Sequence, residues 1–436
     1  MPFQKIQELL VETIRQEIQR TNGCTDPGSV CFAVSLAVKN LQNIPEQVHV
    51  TTSANLYKNA MGVGVPGTGQ AGLPIAAALG VFIPHSEAQL AILDYLEPAA
   101  LEQAQKFLDE GRVKVDFTSS EGALYICARV KAGKDNASVV ISGDYTHVAQ
   151  IIRNGELLFS DKGSVSGSAS TQIHQLVYAD IYKAIITTPP EHYAFLLEAA
   201  RVNQQAVEQA GKLPQLRFQK NCSNRLNQQG IYHQSQYNTA LACEARMSGA
   251  PVPIMALGGS GNQGITNFLG VLSVAEELGA PDQKVAVALA LSAGTALYIK
   301  SYLNRVTALC GSALAAGPGV AAGTVYLLDG DYDCVVHAIQ STVAALNGVL
   351  CEGANLLCPF KISAAAMLAI NYANLACCGI FAPAGHGILE TDIERTFANL
   401  GRINQSLNSA DQLVLSILSA RSHNHQAGHE HIPQMK

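Results

Sequence analysis

The sequence predicts an α+β protein in which a mostly antiparallel sheet unit with helices packs on a larger, Ala/Gly-rich all-α unit. Short runs rich in β-branched or aromatic residues, mostly bounded by Gly, Asn or Asp, crowd residues 45–162. Asn154-Gly155 sits between two such runs and signals a hairpin, since both residues tolerate the positive φ of a type I′ turn. From Gln172 onward the patterns are helical, with Ala-rich runs from Ile265 through Ala376 whose small side chains let helices approach closely.

Taken in order, the opening twenty residues read as an amphipathic helix ending near Asn22-Gly23, followed by a helix over Ser29 to Asn40. Strands are expected at Gln47 to Thr52, Arg112 to Phe117, Ala123 to Lys131 and Ser138 to Ser142, then in the runs HVAQIIR and ELLFS around the hairpin. Gln70 to Leu79 and Ser86 to Glu110 read as helical, the second broken at Pro98. The Gly/Ser run Asp161 to Thr171 marks the boundary to the helical unit, which opens with His174 to Ile186. This divides the chain into N-terminal helices packing on the helical unit (1–44), an α+β sheet domain (45–165), a helical domain (166–420) and a polar, disordered tail (421–436).

With 436 residues, 48% of them hydrophobic, the chain has ample material for a large core. A net charge of -6 and the lack of any Lys/Arg-rich block leave no basic field for nucleic acid. The N-terminus lacks the unbroken apolar core of a signal peptide. The longest apolar stretches, Val285 to Leu297 and Ala364 to Ile370, are interrupted by Ser, Gly, Thr or Asn, so no membrane span is expected. A cytoplasmic protein follows, its eleven cysteines reduced; a homodimer is compatible with all of this.

The segment Asn55 to Pro74 packs five glycines and two prolines between a strand and a helix. Such a loop brings backbone N–H groups close to a bound anion, and Asn55, Lys58, Asn59 and Thr68 add donors beside Gly67 and Gly69. Gly62, Gly64 and Gly67 spell G-x-G-x-x-G, but Pro66 interrupts the turn and no strand leads directly into it, so a dinucleotide site is rejected. A second Gly-rich stretch around Asn262 and Gln263 opens a long helix, which on its own reads as a plain N-terminal cap. Cys24 precedes a helix beginning near Pro27, where the helix dipole would lower its thiol pKa. Cys310, Cys351 and Cys358 show no compact ligand spacing, and spacing alone declares no metal site. No G-x-S-x-G elbow, P-loop lysine or H-E-x-x-H helix is present.

Taken together, GCTDP, NLYKNAMGVGVPGTGQAGLPIAAALG, GGSGNQGI, the TALCGSALAAGPGVAAG run and CEGANLLCPFKISAAA strongly resemble the L-cysteine desulfidase family, itself related to iron-sulfur L-serine dehydratases. The resemblance runs from about Gly23 to Leu400. It implies a [4Fe-4S] cluster held by Cys310, Cys351 and Cys358 in the helical domain, with Cys24 and Lys58 as catalytic residues. It further implies that Asn55, Asn59 and the Gly67-Thr68-Gly69 loop grip the carboxylate of a small amino-acid substrate, with Asn262 and Gln263 completing the pocket. The implied reaction is β-elimination of L-cysteine to pyruvate, ammonia and hydrogen sulfide. L-serine dehydration, a non-catalytic amino-acid-binding role and a pyridoxal-phosphate lyase using Lys58 are the competing readings. Pro359-Phe360 departs from the Ala-Met that often precedes the lysine retained here as Lys361.

Overall fold

The computed structural model describes residues 1–122, 124–161, 172–226, 230–303 and 307–427. The expected boundary at 162–171 and the tail from 428 lie outside them. The fold is α+β with a large helical part.

Helix α1 (Phe3–Gln16) buries Ile6, Leu10, Thr13 and Ile14 at helical spacing, then gives way to strand β1 (Ile18–Asn22). The single helix expected to run to Asn22 is therefore too long. β1 is held as a strand by antiparallel pairing with β10 (Pro253–Leu257), a partner from far down the chain. Helix α2 (Thr25–Leu41) starts directly after Cys24. It is followed by β2 (Gln47–Ser53), α3 (Ala54–Ala60), the two-residue strands β3 (Gly64–Val65) and β4 (Gln70–Ala71), α4 (Leu73–Phe82), a 3-10 segment (Ser86–Tyr95) and α5 (Pro98–Asp109). The break at Pro98 is where the sequence placed it, because proline fits the first helical turn.

Strands β5 (Val113–Thr118), β6 (Tyr125–Ala132), β7 (Asp135–Ser142), β8 (Val148–Arg153) and β9 (Glu156–Ser160) complete a six-stranded sheet of order β5-β2-β6-β7-β8-β9. The pairing is antiparallel throughout except for β2 with β5, which run parallel across the crossover through α3, α4 and α5. Asn154 and Gly155 both take positive φ in the β8–β9 turn, as the hairpin signal predicts.

The remaining helices are α6 (Tyr178–Thr187), α7 (Ala194–Ala210), α8 (Arg217–Leu226), α9 (Ile231–Met247), α10 (Gly261–Leu278), α11 (Asp282–Leu303), α12 (Gly317–Leu327), α13 (Tyr332–Leu346), α14 (Cys358–Cys377), α15 (Ile393–Ser406) and α16 (Asn408–Ala427). α16 carries the chain as helix through Ala427, past the point where a disordered tail was expected, since neither Gly nor Pro interrupts residues 421–427. α11 and α14 are, contrary to the sequence reading, long and apolar enough to cross a membrane, because Ser292, Gly294 and Thr295 do not interrupt the helix. In α11, 83% of the apolar window is buried inside the protein, which makes it the central helix of the helical core.

Two large apolar cores result. One gathers α1, α6, α7 and α10 to α15; the other joins α2 and α4 to the inner face of the sheet. The two N-terminal helices are thus divided, with α1 on the helical core and α2, through Val30, Val34, Ala37 and Leu41, on the sheet. A third, smaller cluster contains Cys24, Leu241, Cys243, Ile254, Ile265 and Ile362, and forms the apolar backing of the site.

Candidate active site

One pocket collects Cys24, Cys310, Cys351 and Cys358, which the sequence scatters over more than three hundred residues. Two backbone bonds set up the thiols from the second half of the chain. Cys310 N donates to Val349 O (2.8 Å) and Cys351 N to Ala308 O (2.7 Å), so the two cysteine-bearing loops run side by side as a short antiparallel bridge. Cys358 is the first residue of α14, with Pro359 in the first turn, where its missing N–H costs nothing. The departure at Pro359-Phe360 therefore leaves the helix start intact. Gly353, between Cys351 and Cys358, has φ +88°, and a Cβ there would fall 2.1 Å from Lys58 O. Only glycine lets this loop lie against α3, from which Asn59 reaches into the pocket towards Cys351 Sγ (3.8 Å).

Cys24 is buried at the start of α2 and donates from Sγ to Asp26 Oδ2 (3.2 Å). Tyr145, from the loop between β7 and β8, donates its hydroxyl to Asp26 Oδ1 (3.3 Å), so the sheet unit contributes to the same pocket. The sequence reading of a lowered Cys24 pKa is corrected here. Burial first, and the neighbouring Asp26 carboxylate second, push the thiol up to about 12, against a smaller opposing pull from Arg246. Desolvation outweighs the helix dipole, which acts only over one turn and at the scale of about 1 kcal/mol. Asp26 is also raised, chiefly by burial, while hydrogen bonds from Cys24 and Tyr145 and the charge of Arg246 hold it back. A prediction follows from the sign of the Cys24 shift. A thiol with a pKa near 12 is neutral at pH 8, with a thiolate fraction of roughly 10⁻⁴. Iodoacetamide should label exposed Cys378 long before Cys24 at that pH, as read by peptide mass spectrometry. Equal rates would mean that Cys24 is a free thiolate.

Asn262 and Gln263 line the pocket at the start of α10, where Ser260 caps the helix by accepting from Gln263 N (3.4 Å). Other predicted residues lie elsewhere. The Lys58 ammonium is buried against Asp411 Oδ1 of α16 at 2.6 Å and is absent from the pocket lining. Asn55 faces a separate cleft with Asp411 and Gln412. Gly67, Thr68 and Gly69 form the turn of the β3–β4 hairpin, and the Thr68 hydroxyl is spent on Val65 O (2.8 Å) and Gln70 N (3.0 Å). Part of the loop serves close packing: a Cβ on Gly64 would meet Ser248 C at 2.4 Å, and Pro66 stands 2.3 Å from where a Cβ on Gly23, next to Cys24, would be, whereas a Cβ on Gly69 would meet nothing within 4 Å. It buttresses the site from behind. Lys58→Met, which strands a carboxylate that is 11% exposed, should cost about 3–5 kcal/mol of stability. Denaturant titration checks this, and Lys58→Met with Asp411→Leu should recover much of the loss.

Among the charged and phenolic lining residues, Tyr145, Arg246 and Lys300 escaped the sequence reading, while Asp26 entered it only as an alternative base to Cys24. Arg246, 3% exposed in the last turn of α9, donates from Nε to Gly23 O (3.1 Å) and from Nη1 to Asn262 Oδ1 (3.0 Å). A buried Arg in a helix of otherwise mixed composition carries no local signal; only Asp26, inside the GCTDP motif, was within reach of sequence reasoning. The pocket offers about 100 Å³ to the centres of water-sized groups, against roughly 10–15 Å³ for one water, which suits a small substrate.

The serine dehydratase alpha chain family matches residues 87–416, a span that includes Cys310, Cys351 and Cys358. The chain belongs to the serine dehydratase alpha chain family. Relatives bearing the name UPF0597 protein cover nearly the whole chain: one from Methanocella arvoryzae is 42% identical over 94% of this chain and 98% of its own length. Others come from Porphyromonas gingivalis (35%, over 95% and 99%) and Clostridium perfringens (31%, over 97% and 100%).

The serine dehydratase alpha chain family is in the iron-sulfur serine dehydratase group, and the donor set can be tested against such a cluster. Among the described residues no three His, Cys, Asp or Glu side chains stand close enough to hold a single metal ion. A four-iron cluster sets its thiolates at separate corners, farther apart than the ligands of one ion. Burial raises Cys310 to about 12, and Cys351 and Cys358 add to that shift; Cys358 is raised to about 11, mainly by burial. Cys310 and Cys358, which resist ionising, and Cys351 beside them fit a cationic centre, which would be held by their thiolates. Cys310, Cys351 and Cys358 are the residues that could hold it.

Proposed function

We propose that this chain is an iron-sulfur lyase that eliminates the β-thiol of L-cysteine to give pyruvate, ammonia and hydrogen sulfide. The observation that carries the reading is the meeting of Cys310, Cys351 and Cys358 with Cys24 in one pocket. The [4Fe-4S] cluster, held by those three cysteines with one iron open, would supply a Lewis acid for the substrate's leaving group.

The chain's own residues handle the proton. Asp26 Oδ2, 3.2 Å from Cys24 Sγ, accepts the thiol proton, its affinity for that proton increased by burial. Cys24 sulfur then takes the substrate's Cα proton, and the β-substituent leaves with the proton held on Asp26, as hydrogen sulfide, which returns both groups to their starting states. Tyr145 keeps Asp26 oriented and Arg246 offsets the charge that moves between oxygen and sulfur. The aminoacrylate released tautomerises to an imine, and its hydrolysis to pyruvate and ammonia needs no further group on the protein.

L-serine dehydration is the second reading, favoured by the family match and differing only in the leaving group. Anaerobic protein is to be given L-cysteine and L-serine in parallel. Sulfide and pyruvate in equal amounts from cysteine, at a kcat/KM above that for serine, is the expected result. Pyruvate from serine alone assigns the dehydratase, and product from neither overturns the lyase reading.

A further inference from the structure

Resting on the lyase reading, we propose that the pocket binds its amino-acid substrate by the α-carboxylate between the Arg246 guanidinium, the Gln263 side-chain amide and the N-terminus of α10. The Gly67-Thr68-Gly69 loop takes no part in this. The lining carries the buried Arg246 guanidinium, a fixed positive charge that an entering carboxylate meets directly. Arg246 is buried and oriented by Gly23 O and Asn262 Oδ1, which spend two of its five N–H groups and fix the plane of the fork. α10 has eighteen residues and begins at the pocket, with its first N–H groups lacking helical acceptors.

Gln263 is the independent pointer to a ligand. It lines the pocket at 2% exposure, and its side chain has no hydrogen-bond partner among the described residues; Oε1 is buried and unsatisfied. Its Nε2 lies 2.8 Å from where a Cβ on Gly311, the neighbour of Cys310, would stand, which sets the amide beside the cluster-bearing loop. An unpaired buried amide costs stability unless something pairs with it. A carboxylate held there keeps the β-carbon of a small amino acid within the same pocket as Cys310, Cys351 and Cys358. The ligand class is therefore short-chain carboxylates, with α-amino acids the natural members.

The test measures binding by calorimetry on anaerobic protein, with probes that cannot react: L-alanine, propionate and ethylamine. Wild type should bind L-alanine and propionate but not ethylamine. Arg246→Gln should weaken L-alanine about 10-fold or more and raise the KM for L-cysteine in parallel with a smaller change in kcat, and Arg246→Lys should recover part of the loss. Should Arg246→Gln unfold, Gln263→Leu decides, with about 10-fold weaker L-alanine binding expected. Asn55→Ala should bind as wild type does. The proposal is overturned if folded Arg246→Gln and Gln263→Leu keep wild-type affinity, if ethylamine competes as well as propionate does, or if Asn55→Ala is the variant that loses binding. Its failure is separable from that of the lyase reading. Wild type that binds L-alanine through Arg246 yet releases neither sulfide nor pyruvate refutes the lyase alone. Turnover with unchanged KM in both variants refutes the subsite alone.

Discussion

Replacing Cys310, Cys351 or Cys358 by Ser is expected to remove iron, acid-labile sulfide and turnover together, in each of three separate variants. The expectation rests on geometry as much as on residue type. The backbone bridge between Cys310 and Val349, and between Cys351 and Ala308, locks two of the thiols to one another, while Pro359 in the first turn of α14 and the bond from Cys358 N to Asn355 O (3.0 Å) fix the third. A three-cysteine site has no spare ligand, so the loss of one thiolate leaves a second iron open and exposes the cluster to oxidation. Cys334→Ser and Cys377→Ser serve as controls, because those thiols lie at the far end of α14 near Ala376 and not on the pocket. Iron and sulfide analysis alongside a pyruvate assay reads the outcome. Three variants with full iron and full turnover would show that the assignment of ligands is wrong.

Cys24→Ala should behave differently, keeping most of the iron and sulfide while losing turnover by about 10²-fold or more, the scale of a lost general base. Asp26→Asn should follow it, since an amide cannot accept the thiol proton and the Cys24 Sγ to Asp26 Oδ2 contact at 3.2 Å then carries no transfer. The diagnostic readout is exchange of the substrate Cα proton with deuterated solvent, which is to fall with turnover in both variants. Loss of iron in Cys24→Ala would make Cys24 a ligand. Unchanged iron, turnover and exchange would make it a bystander and leave Asp26 without a role.

Local signals were legible and non-local ones were not. The Asn154-Gly155 turn, the helix break at Pro98 and the β-branched-rich runs of β6 and β7 each depend on a few adjacent residues, and each is found near where the sequence placed it. β1 escaped because a strand that pairs with residues 253–257 looks, over its own five residues, like the end of an amphipathic helix. The Gly-rich run was read as a ligand loop because glycine serves close backbone approach in either case. Gly64 against Ser248 and Pro66 against Gly23 are such close approaches, and the turn at Gly67 to Gly69 lies off the pocket that holds the cysteines. Lys58 carried the right chemistry in the wrong direction, since Asp411, more than three hundred residues away, claims its ammonium. The four cysteines could be brought together by resemblance to a family, never by spacing. Arg246 and Tyr145 belong to the site only because α9 and the β7–β8 loop are folded onto α2.

The account turns on whether these thiols hold a cluster, and the direct measurement is iron and acid-labile sulfide per chain in protein prepared and reconstituted without oxygen. About four of each, with the brown colour and broad visible absorbance of such clusters, is the predicted result. A chain that converts L-cysteine or L-serine to pyruvate with no iron bound, or that loses activity to hydroxylamine and regains it with pyridoxal phosphate, would contradict it.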